Sequence, residues 1–247
     1  NLSQAAKGKG QAEAKWQGME SFLTSRIASD DPELQDCYRH FRSNLDDIIQ
    51  IARGCGAQVL LCTVPVNIRS CAPFGSEHKA GLSAEALVQW NRAFQEGRAR
   101  ERAGDFAGAL AAYDKARQID DSYADLSFCM GQSLASLGRT DEARRAFVDA
   151  RDLDVLRFRA DSSILRVIRE TAQARSGKGV RLLDLDVDLD PVRSGTQVAD
   201  SFVDHVHLDS RGNFLAAFSA MREIREMMPQ AGLVEPRGSE EELLGLC

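Results

Sequence analysis

Residues 58–66, Gln58-Val-Leu-Leu-Cys-Thr-Val-Pro-Val66, form an apolar run with β-branched members, preceded by Gly54-Cys55-Gly56 and followed by a loop. A short run apolar on both faces, entered from a helix through a tight turn, reads as a strand buried on both sides in a parallel sheet. The helix before it is equally legible. Leu34, Tyr38, Phe41, Leu45, Ile48, Ile49 and Ala52 recur at helical spacing from about Pro32 to Arg53. Pro32 suits an early helical position, and the glycines suit the helix end. Upstream, Trp16, Met19, Phe22 and Leu23 predict one more helix. One αβ unit of this kind predicts a doubly wound fold, whose ligands bind beyond the carboxyl ends of the strands. The loop Asn67–Gly75 takes that place, so Asn67 and Arg69 are candidate contacts to a substrate or an oxyanion, an ordinary turn being the other reading.

The middle of the chain repeats itself at a shift of 34 residues. Phe94 falls on Phe128, Gly97 on Gly131, Gly104 on Gly138, Ala109 on Ala143 and Tyr113 on Phe147. Ala116, Arg117, Ile119 and Asp120 then fall on Ala150, Arg151, Leu153 and Asp154. Small and aromatic positions alternating at that period are the arithmetic of a helix-turn-helix unit. The small residues let two helices approach, and the aromatic fills the space beside them. Two units are fewer than a free-standing stack needs, so this pair must lean on its host. The charged residues Arg98, Arg100, Glu101, Arg102, Arg144 and Arg145 read as a solvated helix face.

Beyond the repeats, Phe158–Ala174 is amphipathic and ends at Gly177 and Gly179. Val180–Asp188 begins apolar and turns to alternation, which predicts a strand running out at the end of the sheet. A closing helix is expected from about Phe214 to Met228, followed from Pro229 by a tail rich in Gly, Pro and Glu.

The sharpest chemical signal is Asp204-His205-Val206-His207. A carboxylate three residues before an imidazole can fold back in a tight turn and accept the Nδ1 proton. That leaves Nε2 free as a base toward a nucleophile. Other chemistries fit less well. His205 and His207 lack a second pair or a Cys cluster to complete a zinc set, so no metal is expected. Asp184, Asp186, Asp188 and Asp190 resemble the start of a calcium loop, but Leu189 and Gly195 stand where that loop needs Gly and Glu. Gly177-Lys-Gly179 lacks the spacing of a phosphate loop.

Two resemblances add to this reading. Over residues 90–157 the chain resembles the tetratricopeptide repeat family as two units, although Ala93 and Ser127 stand where that family often has Trp and Asp121 where it often has Pro. Phe202-Val-Asp-His-Val-His-Leu-Asp-Ser-Arg-Gly-Asn213 resembles the last block of the SGNH (GDSL-like) hydrolases, and residues 44–65 resemble a helix and strand of that family. The resemblance spans about 32–80 and 158–228. It implies an α/β fold with an all-α insertion, a partial doubly wound parallel sheet joined to tetratricopeptide hairpins. The implied division is 1–85 for the first helices and αβ unit, 86–157 for the inserted repeats, 158–230 for the C-terminal part and 231–247 for the tail. It further implies that Asp204 orients His207, and that His207 activates a serine in ester hydrolysis or acyl transfer.

The family's Gly-Asp-Ser block and its Gly-x-Asn-Asp block have no counterpart here, Gly104-Asp105 being followed by Phe106. The expectation is therefore the C-terminal portion of such a hydrolase, with the serine upstream and the chain alone inactive. No cofactor is expected. The expected partners are an ester or acylated substrate and a protein partner on the repeats. The resemblance leans toward an extracytoplasmic or envelope location.

Composition bounds these readings. The 247 residues are 43% apolar and 28% charged, which excludes a wholly disordered chain. A net charge of −6 argues against a general nucleic-acid binder, which needs a concentrated basic face. No apolar run approaches the roughly 18 residues that span a bilayer. The six cysteines are too sparse for a disulfide scaffold and include no CxxC pair. Cys62 and Cys129, inside apolar and helical runs, read as small buried hydrophobes, while pairing of Cys55 or Cys71 stays open.

Overall fold

The computed structural model describes Phe22, residues 24–190, Val192 and residues 201–229. The expected helix around Trp16 and Met19, and the tail beyond Pro229, lie outside the described residues. Among the described residues the chain is mostly helical, with eight helices and a two-stranded parallel sheet. In order these are α1 (Pro32–Gly54), β1 (Val59–Cys62), α2 (Ala84–Arg102), α3 (Phe106–Ile119), α4 (Ala124–Ser136), α5 (Thr140–Asp152), α6 (Ser162–Ala174), β2 (Val180–Leu183), α7 (Leu185–Asp188) and α8 (Ser210–Met227).

Local chemistry sets the ends of these elements. Asp31 caps α1 by accepting the Glu33 amide, with Pro32 in the first turn, and Gly56 turns the chain at φ +79°. Only a residue without a Cβ takes that backbone freely. Asp161 caps α6 from Ser163 and Ile164, so that helix starts four residues later than its apolar pattern suggests.

β1 and β2 pair in register from Val59↔Val180 to Cys62↔Leu183. Because side chains alternate across a strand, Leu60 and Leu183 share a face, and α8 covers it through Leu215, Phe214 and Ala220. Arg181 reaches from the same face to Glu223 of α8 at 2.6 Å. Helices α1 and α6 pack together and on the sheet, burying Ile49 and Leu165.

The sheet corrects three expectations. The run 58–66 is a strand only over Val59–Cys62, and it is half-buried, with full burial beginning at Thr63 and Pro65–Ile68. Cys62 is exposed rather than a buried hydrophobe, whereas Cys129 is fully buried. The reason is that the sheet has two strands among the described residues, so β1 keeps an open edge. β2 also stops at Leu183 instead of running to Asp188. Asp184 is seized there by Arg169, with two bonds of 2.8 Å, and by Thr63 Oγ1 at 2.9 Å, and the chain turns into α7.

Between β1 and β2 lie the two helical hairpins, α2/α3 and α4/α5, that the 34-residue shift marks out. Gly104 and Gly138 take positive φ in the two hairpin turns. A Cβ on Gly97 would enter the Tyr113 ring, and one on Gly131 would stand 2.7 Å from Phe147. These glycines therefore mark close approach between the helices of each hairpin. Trp90 is buried in the same core and donates from Nε1 to the Asp120 carbonyl at 3.0 Å.

Candidate active site

The segment Phe202–Leu208 closes on itself through an antiparallel bridge between its ends, and the Val203 amide donates to the His207 carbonyl at 2.8 Å. Inside this loop Asp204 folds back on the residues that follow. Its Oδ1 accepts the amides of Val206 at 2.9 Å and His207 at 2.8 Å, and its Oδ2 lies 2.7 Å from His207 Nδ1. The His207 and Val206 amides, together with the His207 ring, hold the Asp204 carboxyl well below the usual carboxylate range. With Nδ1 engaged by a carboxylate, the imidazole presents Nε2 outward. The His207 side chain is 74% exposed. Among the described residues, no hydroxyl hydrogen-bonds to its Nε2.

The two neighbouring histidines have opposite environments. His205 is 17% exposed and meets the Phe74 ring edge-on at 5.0 Å and the Phe158 ring at 6.2 Å. It anchors the turn in an aromatic cluster, while His207 projects from it. The two rings stand 6.5 Å apart at 83°. Among the described residues, no group of three or more metal-ligating side chains gathers.

Asn67, a sequence candidate, comes to this place. Its backbone amide donates to the His205 carbonyl at 3.0 Å and its Nδ2 to the Asp204 carbonyl at 3.2 Å. Its Oδ1 accepts the Ser70 amide at 2.9 Å, and the residue is buried. In this arrangement the side chain fastens the turn. Arg69 is partly buried in the same loop.

Sequence reasoning missed what lies beneath. Arg159, nearly buried, donates to the carbonyls of Asn67 at 3.1 Å and Cys71 at 2.9 Å and to Asp154 at 3.1 Å. Its guanidinium also lies 5.7 Å from the Phe74 ring centre. The one available signal was the pairing of Asp120 with Asp154 at the repeat period, since a short carboxylate kept at both unit ends suggests a shared backbone contact.

A second carboxylate–imidazole pair, also unforeseen, lies in the hairpin layer. His78 Nδ1 is 2.7 Å from Asp120 Oδ2, and the ring is flanked by Trp90 at 4.5 Å and Tyr123 at 4.6 Å. Asp120 is fully buried and also accepts from Ser122 and Lys79, so the carboxylate of this pair is tied into a structural network, and the His78 side chain is 25% exposed against 74% for His207.

Comparison with protein families, curated proteins and solved structures finds no match.

The charged face of the hairpins is less idle than its composition suggests. Arg144 binds the buried carboxylate of Asp190, and Arg98 meets Cys129 Sγ at 3.1 Å. Arg98, Arg100 and Gln132 are exposed. The five described cysteines are free, so Cys55 and Cys71 do not pair with one another. Among the described residues no helix is long and apolar enough to cross a membrane.

Proposed function

We propose that this chain supplies the Asp-x-x-His half of a serine-hydrolase active site of SGNH type, acting in ester hydrolysis or acyl transfer. The observation that carries the reading is the 2.7 Å contact between His207 Nδ1 and Asp204 on an imidazole that is otherwise open to solvent. His207 Nε2 would take the proton of a serine hydroxyl as its oxygen attacks an acyl carbon. The imidazolium so formed is stabilised by Asp204 and returns the proton to the departing alcohol. Water then releases the acyl group in a hydrolase, and a second alcohol takes it in a transferase. The serine would come from residues preceding this segment, because no matching block occurs within it.

A fluorophosphonate probe, which bonds only to an activated serine, tests this directly. The longer gene product should be labelled, the 247-residue chain should not, and His207→Ala in the longer protein should abolish labelling. Full labelling of that variant would overturn the proposal.

A second reading is a tetratricopeptide interaction module, and it is favoured by the exposure of Arg98, Arg100 and Gln132 on the first helices of the hairpins. A groove of about 970 Å³ also opens beside Met130, Leu134, Ala146 and Leu153, with Arg145 and Asp149 on its rim. If neither protein is labelled, these faces become the ones to test for a peptide partner.

A further inference from the structure

The loop that follows β1 touches everything that matters to the candidate site. At its near end Asn67 holds two carbonyls of the Asp204–His207 turn, and further along Phe74 packs on His205. Its far half, from Phe74 to Lys79, runs across both hairpins and is fastened at each by a repeat-related aspartate. Asp154 accepts the amides of Phe74 at 2.9 Å and Gly75 at 3.0 Å, while Asp120, thirty-four residues earlier, takes His78 Nδ1 and lies 3.4 Å from the Lys79 amide. Between them, the Val155 amide donates to the Gly75 carbonyl at 3.1 Å, the Asp125 amide to Ser76 Oγ at 2.9 Å, and Ser122 Oγ to the Glu77 carbonyl at 3.2 Å.

Arg159 completes the path. It is bonded to Asp154 on one side and to the Asn67 and Cys71 carbonyls on the other, so one guanidinium joins the end of the second hairpin to the residue holding the turn. A planar fork with several donors in fixed directions suits this role better than the single point charge of a lysine. The path from hairpin to imidazole is therefore continuous: Asp154, Arg159, Asn67, Asp204, His207.

We propose that the hairpin pair is the platform of the candidate active site, and that Asp154 and Arg159 are positioning residues that set the Asp204–His207 turn through the clamped loop. This rests on the hydrolase reading for its meaning, because a general base is useful only if it is held where the proton will be. The repeats then act on a segment of their own chain.

The test uses the 247-residue chain carrying Asp154→Leu together with Arg159→Met. Removing both charges avoids stranding one of them in the interior. Amide hydrogen exchange and the ring nitrogen shifts of His207 are compared with wild type. Amides of α4 such as Cys129 should stay protected, while Asn67, Val206 and His207 exchange faster by about tenfold, as expected for the loss of one supporting bond. The ring nitrogens should move away from a single Nδ1–H tautomer. Unchanged exchange at Asn67 and an unchanged tautomer, with α4 still protected, would overturn the proposal.

If the double variant does not fold, wild-type exchange in rising urea decides. Phe74, Gly75 and Asn67 opening together with the end of α5 supports the platform, and Asn67 opening independently of Phe74 and Gly75 overturns it. Neither readout involves turnover. An unlabelled serine would therefore defeat the hydrolase reading without touching this result, and the converse holds too.

Discussion

Gly131→Ala adds one methyl group where the two helices of the second hairpin lie in close contact. Its Cβ would stand 2.7 Å from two atoms of the Phe147 ring and 3.0 Å from a third, whereas ordinary contact begins near 3.4 Å. The ring must therefore retreat by about 0.7 Å. Phe147 is 1% exposed and packs against Phe128 at 5.5 Å, so in a close-packed interior the ring meets its neighbours as it retreats. Overpacking of this kind costs ~1–3 kcal/mol. Against it stands the helix preference of Ala over Gly, ~1 kcal/mol in a helix interior. With the ring enclosed the steric cost equals or exceeds that preference, and the net loss should reach up to ~2 kcal/mol. For a chain of this size that lowers the melting temperature by at most ~4–8 °C.

The decisive control is the same substitution in a Phe147→Leu background, where the obstructing ring edge is gone. There Gly131→Ala should become neutral or stabilising by up to ~1 kcal/mol, because only the backbone preference remains. Urea titrations of the four proteins give the cycle. An equal effect of Gly131→Ala in both backgrounds would refute the reasoning that helix approach, rather than backbone conformation, fixes this glycine.

Other expectations concern the site. His207→Ala should leave stability within ~0.5 kcal/mol, since the side chain is largely in water, while His205→Ala should cost ~1–2 kcal/mol through its lost aromatic contacts, both read from urea midpoints. Asp204 has its carboxyl held below the usual range, so it adds stability above the unfolded carboxylate pKa, and that stability is lost as pH falls through its lowered value. Asp204→Asn should flatten that acid limb, and a carboxyl carbon titration that places Asp204 in the ordinary range would contradict this. Thr63→Val removes the hydroxyl that donates to Asp184 and accepts the Asp186 amide, and should cost ~1–3 kcal/mol in the same titrations. In the native state a thiol reagent should label Cys37 and Cys55 at once and reach Cys129 only on unfolding, as a mass spectrum of the labelled peptides would show.

Much of this was legible in the sequence because it is local or periodic. The first helix could be read from its apolar spacing together with Asp31, Pro32 and the glycines at its end, all of which act within a turn or two of chain. The hairpins could be read from the 34-residue shift, because each Gly faces its own aromatic sixteen residues on, in Gly97 with Tyr113 and Gly131 with Phe147. The Asp204–His207 contact is also local, since a carboxylate three residues before an imidazole needs only one tight turn to meet it.

What the tertiary structure alone decided lies between segments far apart in the chain. A run such as 58–66 carries the same apolar signal whether its sheet has two strands or six, so the exposure of Cys62 depends on what lies beside the strand. Val180–Asp188 alternates like a strand, but Arg169 and Thr63, brought from other elements, take Asp184 and turn the chain into α7. The links from Asp154 through Arg159 to Asn67, and from Asn67 to Asp204, join residues from five to more than a hundred positions apart. No periodicity records such contacts. They exist because folding places a buried guanidinium where loop carbonyls would otherwise lack donors, and an unsatisfied buried polar group is costly enough to fix the partners.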